Sequence, residues 1–184
     1  MNLLINVTAF KLGWLSSVFG GAQQLPWLGP LVVFLAVAIH LARAQRPSSE
    51  FMLIVSCGLI GTVFDSALVA AGWVTFLSGM VSESMAPYWI ITMWMLFGTT
   101  INLSMRWMRG RPLLASAFGF VGGPLAYVAG HKIGGIVFVD QMAAIAMLAV
   151  GWAVIMPLLM QLGERLDGVS PDSPQGDVVG QRIS

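Results

Sequence analysis

Apolar residues run in long blocks along most of this chain, separated by short polar breaks. Six blocks stand out: Leu3 to Phe19, Trp27 to Ala44, Phe51 to Leu77, Ala86 to Trp107, Pro112 to Gly130, and Gln141 to Leu162. A helix crossing roughly 30 Å of hydrocarbon needs about 20 mostly apolar residues, and each block comes near that length. The blocks are too long for barrel strands and do not alternate as such strands must, so strands are not expected. The pattern therefore predicts an all-α polytopic membrane protein, a six-helix transmembrane bundle over residues 1–162. From Gly163 the character changes. The stretch Ser170-Pro171-Asp172-Ser173-Pro174-Gln175-Gly176 has no apolar anchor, so residues 163–184 are expected as a flexible cytoplasmic tail.

The breaks carry turn chemistry. Gly20 to Pro26 holds two glycines and a proline, and Pro47-Ser48-Ser49 precedes the third block with Ser49 as a candidate helix cap. The first block has no basic residue ahead of it and is interrupted by Lys11. It reads as a retained, marginal helix that inserts as a hairpin with the second, rather than as a cleaved leader. Pro124 is expected to break the fifth helix, because proline lacks an N–H and crowds the carbonyl of Phe120.

Composition supports this reading and excludes others. The chain has 184 residues, 57% hydrophobic and 9% charged, against about 25% charged in ordinary globular chains. Mean hydropathy is +0.83. Nothing here suits a cytosolic enzyme or a nucleic-acid binder. The single Cys57 excludes an intramolecular disulfide, and the distant His40 and His131 form no metal-ligand pattern. No cofactor is implied. Charge does set an orientation. Arg43, Arg46, Arg106, Arg109, Arg111, Arg165 and Arg182 fall in the even-numbered loops and the tail, while only Lys132 falls in an odd-numbered loop. The positive-inside rule then puts both termini in the cytoplasm.

An ionisable group inside a span costs about 2.5–3.5 kcal/mol and needs a reason. Lys11 and Asp65 are the two of interest. At 1.5 Å per residue they lie roughly 12 Å and roughly 21 Å from the inner face, close enough in depth to pair if their helices touch. Such a pair is read either as a proton or substrate site or as a clamp between helices. Asn6 lies on a different face from Lys11. Asn102 belongs to a polar stripe on the fourth helix, with Tyr88, Thr92, Met95, Thr99 and Arg106 spaced at helical intervals. The stripe either makes interhelical hydrogen bonds or lines a substrate path. In the fifth span, Ala115, Gly119 and Gly123 form one small-residue face, and Gly122, Ala126 and Gly130 form another; both permit close helix approach. The Gly122 to Tyr127 segment is expected to line a pocket shared with the fourth helix. Tyr127 and His131 follow one turn apart near the outer face. Trp14, Trp94 and Trp152 lie deeper than the other tryptophans, where a pocket would be lined. Methionines fill irregular gaps.

Several of these segments resemble a known family. Asn6 with Phe10-Lys11-Leu12-Gly13-Trp14 and Gly21-Ala22 is similar to its N-terminal pattern. Pro87-Tyr88-Trp89, Met93-Trp94, Phe97 and Ser104-Met105-Arg106-Trp107 follow it, as does Gly122-Gly123-Pro124-Leu125-Ala126-Tyr127-Val128-Ala129-Gly130. The chain resembles the small bacterial inner-membrane family DUF2878, a domain of unknown function, up to about Leu162. The resemblance implies a multi-pass inner-membrane protein, with relatives that tend to be encoded near cyclopropane-fatty-acyl-synthase-like and other lipid-modifying enzymes. It assigns no activity. Three functions stay open: an accessory factor in membrane-lipid modification, with membrane lipid and a lipid-modifying enzyme as partners; a small transporter or channel; and a lipid-modifying enzyme. The intramembrane polar site candidates for all three are Asn6, Lys11, Asp65, Thr99, Asn102, Tyr127 and His131.

Overall fold

Each of the six apolar blocks folds as an α-helix in the computed structural model, which describes residues 3–169. In chain order they are α1 (Leu3–Ala22), α2 (Leu28–Ala42), α3 (Pro47–Ala70), α4 (Tyr88–Ile101), α5 (Pro112–Ile133) and α6 (Gln141–Arg165). Four of them, α1, α3, α5 and α6, are long and apolar enough to cross a membrane. The 15 residues of α2 and the 14 of α4 extend only roughly 21–22 Å at 1.5 Å per residue.

Local chemistry fixes the ends. Pro47 and Pro112 begin α3 and α5, where a missing N–H costs nothing and the fixed φ suits the first turn. The expected cap is therefore corrected: Ser49 lies inside α3, two residues past its start. Asp140 caps α6 by accepting from the Ala143 N–H at 3.0 Å. Gly134, at φ 100°, closes α5 by donating to the Gly130 and His131 carbonyls.

Two spans end earlier than the apolar pattern suggests. The third was expected to reach Leu77, but α3 stops at Ala70, and Gly72 at φ 71° turns the chain away. The expectation of no strands is corrected at this point. Val74–Phe76 (β1) pairs antiparallel with Ile136–Phe138 (β2), with Thr75 opposite Val137. Both segments are β-branched and aromatic, which suits a short ribbon between helices as well as it suits a span. The fourth span was expected to reach Trp107. Instead α4 ends at Ile101, and a turn and a short 3-10 segment, Arg106–Met108, follow. At the exit Asn102 aims its amide at Glu50 and at the Leu166 carbonyl.

The fifth span was expected to break at Pro124, but α5 runs unbroken from Pro112 to Ile133. One missing ladder bond does not end a helix that packs on α6 along its length. That packing is close. A Cβ on Gly123 would overlap the Trp152 ring, and one on Gly61 of α3 would overlap Trp94. Only glycine lets the two indoles lie between helices there. The central α4 packs against α1, α2 and α3, and Trp89, Ile90, Leu96 and Ile101 are fully buried. The opening residues of the expected tail, Gly163 to Val169, lie against the bundle, with Asp167 and Gly168 buried. Residues 170–184 of that tail lie outside the described residues.

Candidate functional site

Space inside this bundle is found among aromatic side chains. A cavity of about 200 Å³ lies between α1, α4, α5 and α6. Phe10, Trp14 and Val18 line it from α1, and Met93, Trp94 and Phe97 from α4. The α5 wall runs from Phe118 through Gly119, Gly122, Gly123 and Ala126 to Tyr127, a length of roughly 13 Å at 1.5 Å per residue. Trp152 of α6 closes the back. The small residues of α5 leave room that larger ones would fill; a Cβ on Gly122 meets nothing closer than 3.7 Å.

The aromatic wall is held in place by mutual contacts. Trp94 stacks on Trp152 with centroids 4.5 Å apart and planes 14° apart. Phe97 meets Trp152 edge-on at 5.4 Å, and Phe10 meets Phe97 at 6.1 Å. Such pairs add about 0.5–1.5 kcal/mol each beyond area burial. One carboxylate anchors this wall. Trp94 Nε1 donates to Asp65 Oδ2 at 2.6 Å, and Tyr127 Oη donates to Asp65 Oδ1 at 2.5 Å. Asp65 is 1% exposed. It works through the two rings that face the cavity. The Trp152 indole N–H is buried without an acceptor among the described residues.

A second cluster closes the end of the bundle where α3 begins and α6 ends. His40 Nε2 donates to Glu50 Oε2 at 2.8 Å. Glu50 Oε1 accepts from the Asn102 amide at 2.7 Å and from the Gly168 N–H at 2.8 Å. Arg109 donates to Asn102 Oδ1 at 2.5 Å and to Asp167 Oδ2 at 2.8 Å, and Arg106 reaches the same Asp167 oxygen at 2.6 Å. Arg46 donates to the Asp167 carbonyl at 2.5 Å. Glu50 is fully buried and His40 is 1% exposed. The network ties α2, α3, α4 and the segment after α6 into one closed layer.

The expected site residues divide between these regions. Asp65 and Tyr127 meet at the cavity wall. Trp14, Trp94 and Trp152, the deep tryptophans, all line the cavity. The Gly122 to Tyr127 segment does share a pocket with α4, but with its Met93, Trp94 and Phe97 face. The polar stripe is elsewhere. Thr99 bonds back to the Leu96 carbonyl at 2.7 Å, as hydroxyls on a helix commonly do. Asn102 belongs to the closed network. Asn6 donates to the Thr99 carbonyl at 3.1 Å and accepts from Ser104, which ties α1 to the end of α4. His131 lies near the ribbon with Nδ1 2.9 Å from the Ile136 carbonyl oxygen. The expected pairing of Lys11 with Asp65 is corrected. Asp65 spends both oxygens on Trp94 and Tyr127, while Lys11 lies exposed on α1. Compatible depth does not bring two side chains to the same side of a bundle. Sequence reasoning missed Glu50, His40 and Asp167. One signal was available: a hairpin of α2 and α3 must bring residues flanking the Arg43 to Arg46 turn together, and His40 and Glu50 flank it.

The fold and the cavity define a helical membrane protein with an aromatic-walled apolar chamber. The chain belongs to the family described as protein of unknown function (DUF2878), whose model matches residues 3–158. Among the curated proteins and the solved structures, nothing matches it.

Proposed function

We propose that this is a multi-pass protein of the bacterial inner membrane that holds the hydrocarbon chain of a membrane lipid in its aromatic cavity. In that role it serves as an accessory factor to a lipid-modifying enzyme. The observation that carries the reading is the lining of the cavity, which is apolar and aromatic from Phe118 to Tyr127 on α5 and across α1, α4 and α6. A dry apolar cavity of about 150 Å³ already takes a benzene-sized guest, so about 200 Å³ suits a stretch of chain and not a whole lipid. The polar side chains that a hydrophilic transport path would use, Asn6, Thr99 and Asn102, are engaged with other parts of the protein.

The reading includes six spans with both termini in the cytoplasm. The seven-to-one bias of basic residues supports it. The two short helices α2 and α4 are packed against their neighbours, where flanking turns can complete the crossing. Alkaline-phosphatase fusions at Glu83 and Arg109 test the topology; activity at Glu83 and silence at Arg109 are expected, and the reverse pattern would overturn it.

Lipid binding is tested by native mass spectrometry of the protein extracted in mild detergent. Wild type should retain lipid through delipidation. Gly122→Phe, which puts a ring into open space, should lose it while keeping a cooperative thermal transition. Equal retention by both would defeat the reading.

A further inference from the structure

Lys11 is unexplained by the cavity as described so far. It lies midway along α1 on a face whose exposed neighbours Leu4, Leu12, Leu15 and Phe19 are apolar, with Thr8 the one polar side chain beside it. It makes no ion pair and no hydrogen bond among the described residues. The acidic groups nearest to consider are already engaged: Asp65 with Trp94 and Tyr127, and Glu50 with His40, Asn102 and Gly168. A lysine on a lipid-facing helix is unfavourable unless an anion meets it or its stem carries the charge toward the headgroups.

The place where Lys11 stands is informative. With Phe10, Trp14, Leu15 and Ala126 it lines a shallow cleft between α1 and α5. Phe10, Trp14 and Ala126 are also walls of the cavity. The cleft and the cavity therefore share three side chains and adjoin across them. α1 packs less closely on α5 than on α2 or α4, and the cleft lies along that seam. An amphiphile entering here would have its tail among the aromatics and its head beside an ammonium group.

We propose that the cavity's ligand is an anionic lipid and that Lys11 binds its charged headgroup at the mouth between α1 and α5. This rests on the chain-binding reading above and adds the charge of the ligand to it. The shared chemistry is an acyl chain bearing an anion, a phosphate in a phospholipid or a carboxylate in a free fatty acid. The inner leaflet supplies it, since Lys11 lies roughly 12 Å from the start of α1 at 1.5 Å per residue and its stem can reach toward that interface.

The experiment is competitive lipid binding to the purified full chain in uncharged detergent, read by native mass spectrometry. The probes are phosphatidylglycerol, phosphatidylcholine with the same chains, and oleate. Wild type should bind phosphatidylglycerol about tenfold better than phosphatidylcholine, as one charge-assisted contact allows. Lys11→Gln should bring the two to parity while still binding both, and Lys11→Arg should keep the preference. Oleate that displaces phosphatidylglycerol would assign the site to carboxylates; phosphatidylglycerol that resists it would assign the site to phosphates. Wild type without an anionic preference, or Lys11→Gln that retains one, would overturn the role of Lys11 and leave chain binding intact. Gly122→Phe separates the two ideas: if it still binds every lipid as wild type does, the cavity reading fails first and this one falls with it.

Discussion

The closed layer around Glu50 and the chamber around Trp94 use polar groups in opposite ways. In the layer, Glu50, Asn102, Arg109 and Asp167 bond to one another across four elements, and only Arg109 Nε and His40 Nδ1 stay buried without a partner among the described residues. In the chamber a single carboxylate, Asp65, holds two rings by their polar edges, and both rings line an open space. The polar cluster is thus a fastener, and the aromatic cluster is where a ligand has room. Intramembrane polarity alone is a poor guide to function in this bundle, because most of the polar residues are spent on joining helices.

Substitutions in the two regions should separate stability from binding. The largest effect is expected from Glu50→Ala. It strands the His40 ring, the Asn102 amide and the Gly168 N–H, and breaking a buried polar pair typically costs about 3–5 kcal/mol. Unfolding in detergent should show that loss, and limited proteolysis should cut earlier after α6. The fraction that stays folded should still retain lipid. Loss of lipid from a folded Glu50→Ala protein would mean that the two regions are coupled.

Next comes a pair on α5 that differs by one position. Gly123→Val forces atoms into the Trp152 ring, and overpacking of this kind costs about 1–3 kcal/mol. Gly122→Ala meets only ordinary contact distances, so its melting temperature should stay near that of wild type. Equal destabilisation of the two would refute the close α5 to α6 packing. Tyr127→Phe keeps the ring and removes one donor to Asp65, which leaves a buried acceptor short and should cost about 1–2 kcal/mol. Its lipid retention should stay near that of wild type, because the ring that forms the cavity wall is kept; retention that falls would mean that the bond to Asp65 positions the wall.

The smallest stability effect is expected at Lys11. An exposed side chain with no partner among the described residues should change stability by less than about 0.5 kcal/mol when replaced by methionine. A double-mutant cycle of Lys11→Met with Asp65→Asn should be additive, since the two do not meet.

The six helices were legible because apolar blocks of span length leave few alternatives. Their ends were less so. Val74-Thr75-Phe76 continues the apolar run of the third block, and nothing in its composition marks it as a strand until Gly72 turns the chain and Ile136–Phe138 arrives as its partner. Depth was readable, which is why Trp14, Trp94 and Trp152 were identified as pocket tryptophans. Direction around the bundle was not. Counting residues placed Lys11 and Asp65 at compatible heights, yet Asp65 points toward α4 and α5 while Lys11 faces outward from α1. Glu50 falls in the polar break before the third apolar block, and Asp167 in the expected tail. Their roles depend on α6 returning to the start of α3, a long-range contact with no local mark in the chain.

Photo-crosslinking tests chain occupancy of the cavity most directly. A phospholipid carrying a diazirine near the end of its acyl chain is incorporated with the protein into vesicles, irradiated, and the adducts are mapped by mass spectrometry. Adducts on Met93, Phe97, Trp152 and Tyr127, all on the cavity wall and partly or wholly buried from the bilayer, are expected in wild type and should vanish in Gly122→Phe. Adducts confined to outward residues such as Phe34, Leu113 and Leu125, equal in both proteins, would contradict a lipid chain inside the bundle.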